Sequence, residues 1–253
     1  MSDPLLTPKE QMVVMAARLL RPAERVLVGV GLPNLAANLA KRVHAPDLVL
    51  IYESGILDAN PKSLPLSIGD PVLVRDALAT IPMLELFSNY LQTGWIDVGF
   101  LGGAQVDCRG NLNSTVIGPY EHPVTRLAGS GGAADIASCA RRLILMLPQD
   151  LRHFPPQVDF VTSPGHPPEG RRPDGQGPAW VVTDRGLYDF DDEGRMRLRQ
   201  LHPDETLATV QNATGWPLEV HPDVGHWAPP TDAEYEALRR LVSTTPVDRQ
   251  ASA

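Results

Sequence analysis

Cysteine is nearly absent. Cys108 and Cys139 are the two in 253 residues, too few for a disulfide framework and without the paired spacing of a thiolate metal site. Basic charge is also short. Twenty-two Lys and Arg stand against 30 Asp and Glu, so the net charge is −8, which excludes a broad nucleic-acid-binding surface. A small anionic ligand stays possible, because it needs only a local positive site. Long apolar runs are missing as well. No stretch approaches the roughly 18 to 20 residues that cross a bilayer. Met1-Ser2-Asp3-Pro4 lacks the basic-then-apolar start of a secretory signal. The expectation is a soluble, cytoplasmic protein with reduced thiols, no membrane contact and no nucleic acid. The seven histidines are scattered with no i, i+4 pair, and His221 and His226 are a poor metal pair, so no metal site is expected. Neither a Gly-x-Ser-x-Gly elbow nor a P-loop occurs.

What is present is a chain 43% apolar, long enough for one large core, and punctuated by 25 Pro and 21 Gly. We read it as a single domain over residues 1–253 whose last ten residues fray. Strands are expected at Val26–Val30, Leu48–Tyr52, Ile96–Leu101, Leu143–Leu147 and Val158–Val161. Helices are expected at Pro8–Leu20 (Thr7 as N-cap), Asn34–Val43, Pro71–Thr80, Met83–Leu91, Ala133–Arg141, Asp204–Asn212 and Asp232–Val242. Hairpins are expected over Val106–Ile117, turned at Cys108-Arg109-Gly110-Asn111, and between Ala179–Thr183 and Gly186–Phe190. Ser163–Pro178 reads as a long exposed loop. Alternating strands and helices imply an α/β fold with a mostly parallel central sheet covered by helices.

Four places can carry chemistry. Glu53 follows the apolar run Leu48-Val49-Leu50-Ile51-Tyr52 and precedes Ser54-Gly55. A carboxylate at the end of a buried strand is held rigidly while its tip meets a cleft. It can serve as nucleophile or general base, or be an ordinary loop acid. Gly29-Val30-Gly31-Leu32-Pro33 joins a strand to a helix and either offers amides to an anion or is a structural turn; it lacks the third glycine of a dinucleotide fingerprint. Gly102-Gly103-Ala104-Gln105 lets a ligand approach the backbone, with N–H groups for an oxyanion, or is again a turn. Gly129-Ser130-Gly131-Gly132 opens a helix and can cradle an anion. Cys108 beside Arg109 is a turn residue or a mildly activated thiol. Arg171 and Arg172 can meet phosphates or be solvated.

The order of motifs is specific where each one is not. Gly29-Val30-Gly31-Leu32-Pro33, Ala45-Pro46-Asp47, Glu53-Ser54-Gly55 and Ser67-Ile68-Gly69-Asp70 come first. Leu101-Gly102-Gly103-Ala104-Gln105-Val106-Asp107, Gly110-Asn111-Leu112-Asn113-Ser114-Thr115, Gly129-Ser130-Gly131-Gly132-Ala133 and Val161-Thr162-Ser163-Pro164-Gly165 follow. Over roughly residues 8 to 190 this series resembles the β subunit of family I CoA-transferases, in particular the glutaconate CoA-transferase branch. Tyr52 is bulkier than the small or aliphatic residue that pattern carries before its glutamate.

The resemblance implies a CoA-transferase-type fold and a separate α subunit, paired as an αβ heterodimer or α2β2 heterotetramer. It implies Glu53 as the nucleophile on an acyl-CoA thioester, passing through a glutamyl-CoA thioester. Gly29, Gly31, Ser54, Gly55, Gly102, Gly103, Ala104, Gly131 and Gly132 would contact the substrate. Coenzyme A enters as substrate, with no permanently bound cofactor. The same patterns also resemble steroid ring-opening CoA hydrolases, whose key glutamate lies on the α subunit. A non-catalytic partner subunit of the same fold is the third reading.

Overall fold

The computed structural model describes residues 6–172 and 176–243. The expected fraying of the last ten residues falls outside these. The chain divides into two compact units. One runs to Phe100 and resumes at Pro229; the other is Leu101–Ala228.

The first unit opens with helix α1 (Pro8–Arg18). Thr7 and Glu10 form a reciprocal capping box around Pro8: the Glu10 amide donates to Thr7 Oγ1, and the Thr7 amide donates to Glu10 Oε2 at 2.8 Å. Strand β1 (Arg25–Val28), helix α2 (Leu32–Val43) and strand β2 (Val49–Tyr52) follow. A tight turn leads to β3 (Ile56–Leu57), and a long irregular segment leads to β4 (Ala79–Thr80). Helix α3 (Met83–Glu85) continues as a π-helical stretch over Leu86–Leu91, and β5 (Val98–Leu101) comes next. The strand order is β5-β1-β2-β3-β4. β1 is parallel to both β5 and β2, whereas β3 and β4 fold back antiparallel. Arg25 sets the β1–β5 register. Its guanidinium grips Asp97 at 2.7 and 2.8 Å and lies 4.7 Å over the Trp95 ring.

The second unit carries two small hairpins, β6 (Gln105–Val106) with β7 (Leu112–Asn113), and β8 (Val116–Ile117) with β9 (Thr125–Arg126). Helix α4 (Ala133–Cys139) leads to β10 (Arg142–Met146). Then come β11 (Pro178–Val182), β12 (Gly186–Phe190), β13 (Met196–Leu201), helix α5 (Leu207–Asn212) and β14 (Glu219–His226), in sheet order β10-β11-β12-β13-β14. Phe154, Tyr188 and Phe190 are among the largest buried side chains here. Helix α6 (Asp232–Ser243) returns to the first unit and packs on α2. There Glu234 receives both Arg18 Nε and Nη2 at 2.7 Å.

The expected α/β architecture is present, a mostly parallel sheet flanked by helices. Parallel pairing joins the buried strands β5, β1 and β2, again β10 and β11, and also β13 with the more exposed β14. Antiparallel pairing belongs to the short returns and hairpins.

Four local expectations are corrected. Pro71–Thr80 is a single 3-10 turn at Pro71–Leu73, capped by Asp70, followed by β4. Val158–Val161 is not a strand: the Asp159 amide is taken by a side chain, donating to Gln105 Oε1 at 2.9 Å. Val106–Ile117 is split, its first half pairing within itself and its second half with β9. The loop from Ser163 is not wholly exposed, since Ser163 and His166 are buried. The His166 imidazole donates from Nε2 to the Pro178 carbonyl at 2.8 Å and accepts the Arg172 amide at Nδ1. Part of the loop, residues 173–175, lies outside the described residues.

Candidate active site

In the first unit, the parallel register Val28↔Tyr52 ends β1 and β2 side by side. Gly29 and Glu53 are the next residues on each chain, so the glycine turn and the glutamate emerge together at the carboxyl edge of the strands. Glu53-Ser54-Gly55 is a three-residue turn, closed by antiparallel pairing of Tyr52 with Ile56. The Gly55 amide donates to the Tyr52 carbonyl, and the Ile81 amide donates to the Gly55 carbonyl, both at 2.8 Å. Ser54 Oγ donates to the Ile68 carbonyl. Ser54 is thus engaged in pinning the turn to the irregular segment after β3. Glu53 is half-buried, and among the described residues its carboxylate meets no hydrogen-bond or ion-pair partner. Nothing within the turn competes for it.

Gly31 caps α2 with φ +86° and is exposed, while Gly29 is half-buried. A Cβ at either position would meet no atom within 4 Å. The backbone therefore faces open space beside the Glu53 turn.

Behind the turn lies a buried polar chain that the sequence motifs do not assign. Tyr52 is fully buried and donates its hydroxyl to Asn34 Oδ1 at 2.5 Å. Asn38 Nδ2 also donates to Asn34 Oδ1, at 2.9 Å, and Arg42 Nη1 donates to Asn38 Oδ1, again at 2.9 Å. Arg42 Nη2 ends on the Pro61 carbonyl at 2.8 Å. Burial pushes the Tyr52 phenol up to about 12, with Asn38 and Arg42 pulling the other way. A signal was there to read: Asn34, Asn38 and Arg42 recur every fourth residue on a helix whose neighbours Leu35, Ala36, Leu39 and Ala40 are core.

In the second unit, Gly102, Gly103 and Ala104 follow the β5 run. The Ala104 amide is committed to the Asn113 carbonyl at 2.8 Å. The Gly102 and Gly103 amides have no acceptor among the described residues. A Cβ at Gly103 would come within 2.8 Å of the Leu112 side chain and 2.9 Å of the Asn113 carbonyl, so close packing by itself accounts for that glycine. Buried Gln105 holds the loop from below. Its Oε1 accepts from Asn113 Nδ2 at 2.7 Å and from the Asp159 amide, and its Nε2 donates to Asp159 Oδ2 at 3.0 Å. The turn holding Gly131 and Gly132 is tied to the same β7 end: Gly129 and Ser114 exchange hydrogen bonds at 2.8 and 3.0 Å. Gly132 caps α4, and Gly131, with φ +48°, is exposed. Cys108 is a turn residue. Burial first, then the Asp107 carboxylate, push its thiol up and outweigh Arg109 and Arg195, so it is not activated.

An α/β enzyme fold presenting a strand-end carboxylate is the class that these features define. Comparison with known proteins narrows it, for the sequence matches the coenzyme A transferase family over residues 9–212. The chain is 44% identical to one of the subunits of the 3-oxoadipate CoA-transferase of Pseudomonas knackmussii, over 93% of each chain. It is 39% identical to the corresponding subunit of the glutaconate CoA-transferase of Acidaminococcus fermentans, over 88% of each. The crystal structure of that glutaconate enzyme superposes with a TM-score of 0.85 and 36% identity, covering 93% of this chain and 94% of the other. More distantly, the chain is 25% identical to the IpdB component of the cholesterol ring-cleaving hydrolase of Rhodococcus jostii, over 87% and 86%. The chain belongs to the coenzyme A transferase family, in its glutaconate-like branch.

Proposed function

We propose that the chain is the β-type subunit of a two-subunit CoA-transferase in which Glu53 is the acyl acceptor. The observation that carries this reading is the Glu53 carboxylate: rigidly turned at a strand end, half-exposed and without a partner in its own unit. A free carboxylate attacks the thioester carbonyl of acyl-CoA, forming an acyl–glutamyl anhydride and releasing CoA thiolate. The thiolate then attacks the glutamyl carbonyl of the anhydride, giving glutamyl-CoA thioester and the first carboxylate product. An incoming carboxylate attacks the thioester, and the thiolate returns to form the new acyl-CoA and free Glu53. Each attack places negative charge on a carbonyl oxygen, which hydrogen-bond donors aimed at it stabilise.

The relatives at 44% and 39% identity are named for 3-oxoadipate and glutaconate, both dicarboxylates, which supports a short dicarboxylic acyl group here. Each is also named as one subunit of its enzyme, which supports a separate α-type partner.

The test mixes the complex with acyl-CoA and traps with hydroxylamine or borohydride. Mass spectrometry is expected to find the modification on Glu53, and Glu53→Ala is expected to lose at least about a thousandfold in kcat. Turnover without any Glu53 adduct would overturn the reading in favour of a ring-opening hydrolase, which the likeness to IpdB supports.

A further inference from the structure

The buried chain of hydrogen bonds beginning at Tyr52 has a cost and needs a reason. Tyr52, Asn34 and Asn38 are at most 1% exposed, in a layer otherwise built from Leu, Ile and Ala. Apolar side chains of similar volume would fill that layer without burying amides and a hydroxyl. A fully satisfied polar network fixes one arrangement of the elements that it joins. The joined elements here are specific. Tyr52 immediately precedes Glu53, and Asn34 lies in the first turn of α2, three residues after Gly31. The Tyr52–Asn34 bond therefore ties the backbone entering the Glu53 turn to the backbone leaving the Gly29–Gly31 turn. Asn38 holds Asn34 from behind, Arg42 holds Asn38, and Arg42 anchors the chain on Pro61.

We propose that Tyr52 is a positioning residue: its hydroxyl, held by Asn34, Asn38 and Arg42, sets the Glu53 carboxylate against the glycine turn beside it. Its bulk serves α2 and not the substrate, since the ring is wholly buried and its hydroxyl is spent on Asn34. The inference rests on Glu53 being the acyl acceptor.

The test uses the complex of this chain with its α-type partner. Tyr52→Phe removes one oxygen and keeps the ring. It is expected to lower kcat about tenfold, as a displacement well under 1 Å would, with KM for acyl-CoA changed less than about twofold. The single-turnover rate of Glu53 acylation should fall by the same factor, and thermal melting should stay within about 4 °C of the parent. Asn34→Ala, which removes the acceptor, should reproduce the kinetic effect if Tyr52→Phe yields too little folded protein. Unchanged kcat in both variants would overturn the proposal, as would a loss of activity that follows the folded fraction. Glu53→Ala separates the two levels. An active Glu53→Ala complex defeats the nucleophile reading itself, whereas an inert one beside a fully active Tyr52→Phe defeats only the positioning role.

Discussion

Gly55 and Gly29 flank the same carboxylate and answer to different constraints. Gly55 holds φ +92°, and a Cβ there would stand 1.9 Å from the Ile81 carbonyl oxygen, which has little room to retreat because the Ile81 amide is bonded to Gly55 itself. Gly55→Ala combines left-handed strain with a backbone clash and should cost more than about 3 kcal/mol in chemical denaturation. A loss below about 1 kcal/mol would show that the turn relaxes freely. Gly29 has no such demand, since a Cβ there would meet no atom within 4 Å. Gly29→Ala should leave stability within about 0.5 kcal/mol of the parent. If acyl-CoA approaches this backbone, the same change raises KM. Unaltered kinetics at unaltered stability would remove Gly29 from ligand contact. Two glycines alike in sequence are thus separated by what surrounds them.

Elements show the same division between what a run of residues announces and what its neighbours decide. β1, β2 and β5 were legible because each is an apolar run bounded by turn residues, and α1 because Thr7, Pro8 and Glu10 spell a capped start. β13 was missed: Met196, Leu198 and Leu201 face inward, but Arg197 and Arg199 between them bond to Asp189 across the sheet instead of marking a loop. β14 was missed because it is largely exposed and carries Pro222 and Gly225. Val158–Val161 failed in the opposite sense. Its apolar ends suggested a strand, yet Asp159 bonds to Gln105 through both its amide and its carboxylate. For the site, Glu53 and the glycine turns were visible by position, whereas the polar chain behind Tyr52 and the Gln105 hub required the tertiary fold. Gln105 supplies a test at this scale. Gln105→Leu would strand the Asp159 amide and weaken the support of Asn113, so it should destabilise the protein by about 2–3 kcal/mol. The Ala104 backbone amide, which is bonded to the Asn113 carbonyl, should exchange hydrogen faster in that variant. Unchanged exchange there would mean that Gln105 does not hold the glycine loop.

Over the whole molecule, protonation limits stability from both sides. His166 is kept neutral by burial, and by the charges of Arg171, Arg172 and Arg109, so its folded value lies below the ordinary 6.5. A depressed value contributes stability that is present above 6.5 and lost as pH falls toward the folded value, because the unfolded chain takes up the proton first. Asp150 and Glu234 act in the same direction lower down. Burial raises each, but His153 and neighbouring amides outweigh it at Asp150, as Arg18 and Thr231 do at Glu234, so both are lowered and their stabilisation fades in acid. Asp107 and Glu219 are raised, chiefly by burial, and oppose that loss at the acid end. On the alkaline side, burial raises Cys108 and Cys139 above 9.0 and Tyr52 from 10.0 to about 12, and it raises Tyr188 as well. Groups raised in the fold stabilise below their unfolded values, and that contribution disappears as pH climbs through the folded ones. Thermal melts across pH should therefore show a plateau between about pH 7 and 9, with a falling limb on each side. The acid limb should begin near the unfolded value of histidine. His166→Gln, whose amide can still donate to the Pro178 carbonyl, should flatten the stretch between about pH 7 and 5.5. An acid limb of unchanged slope in that variant would show that the buried imidazole does not set it.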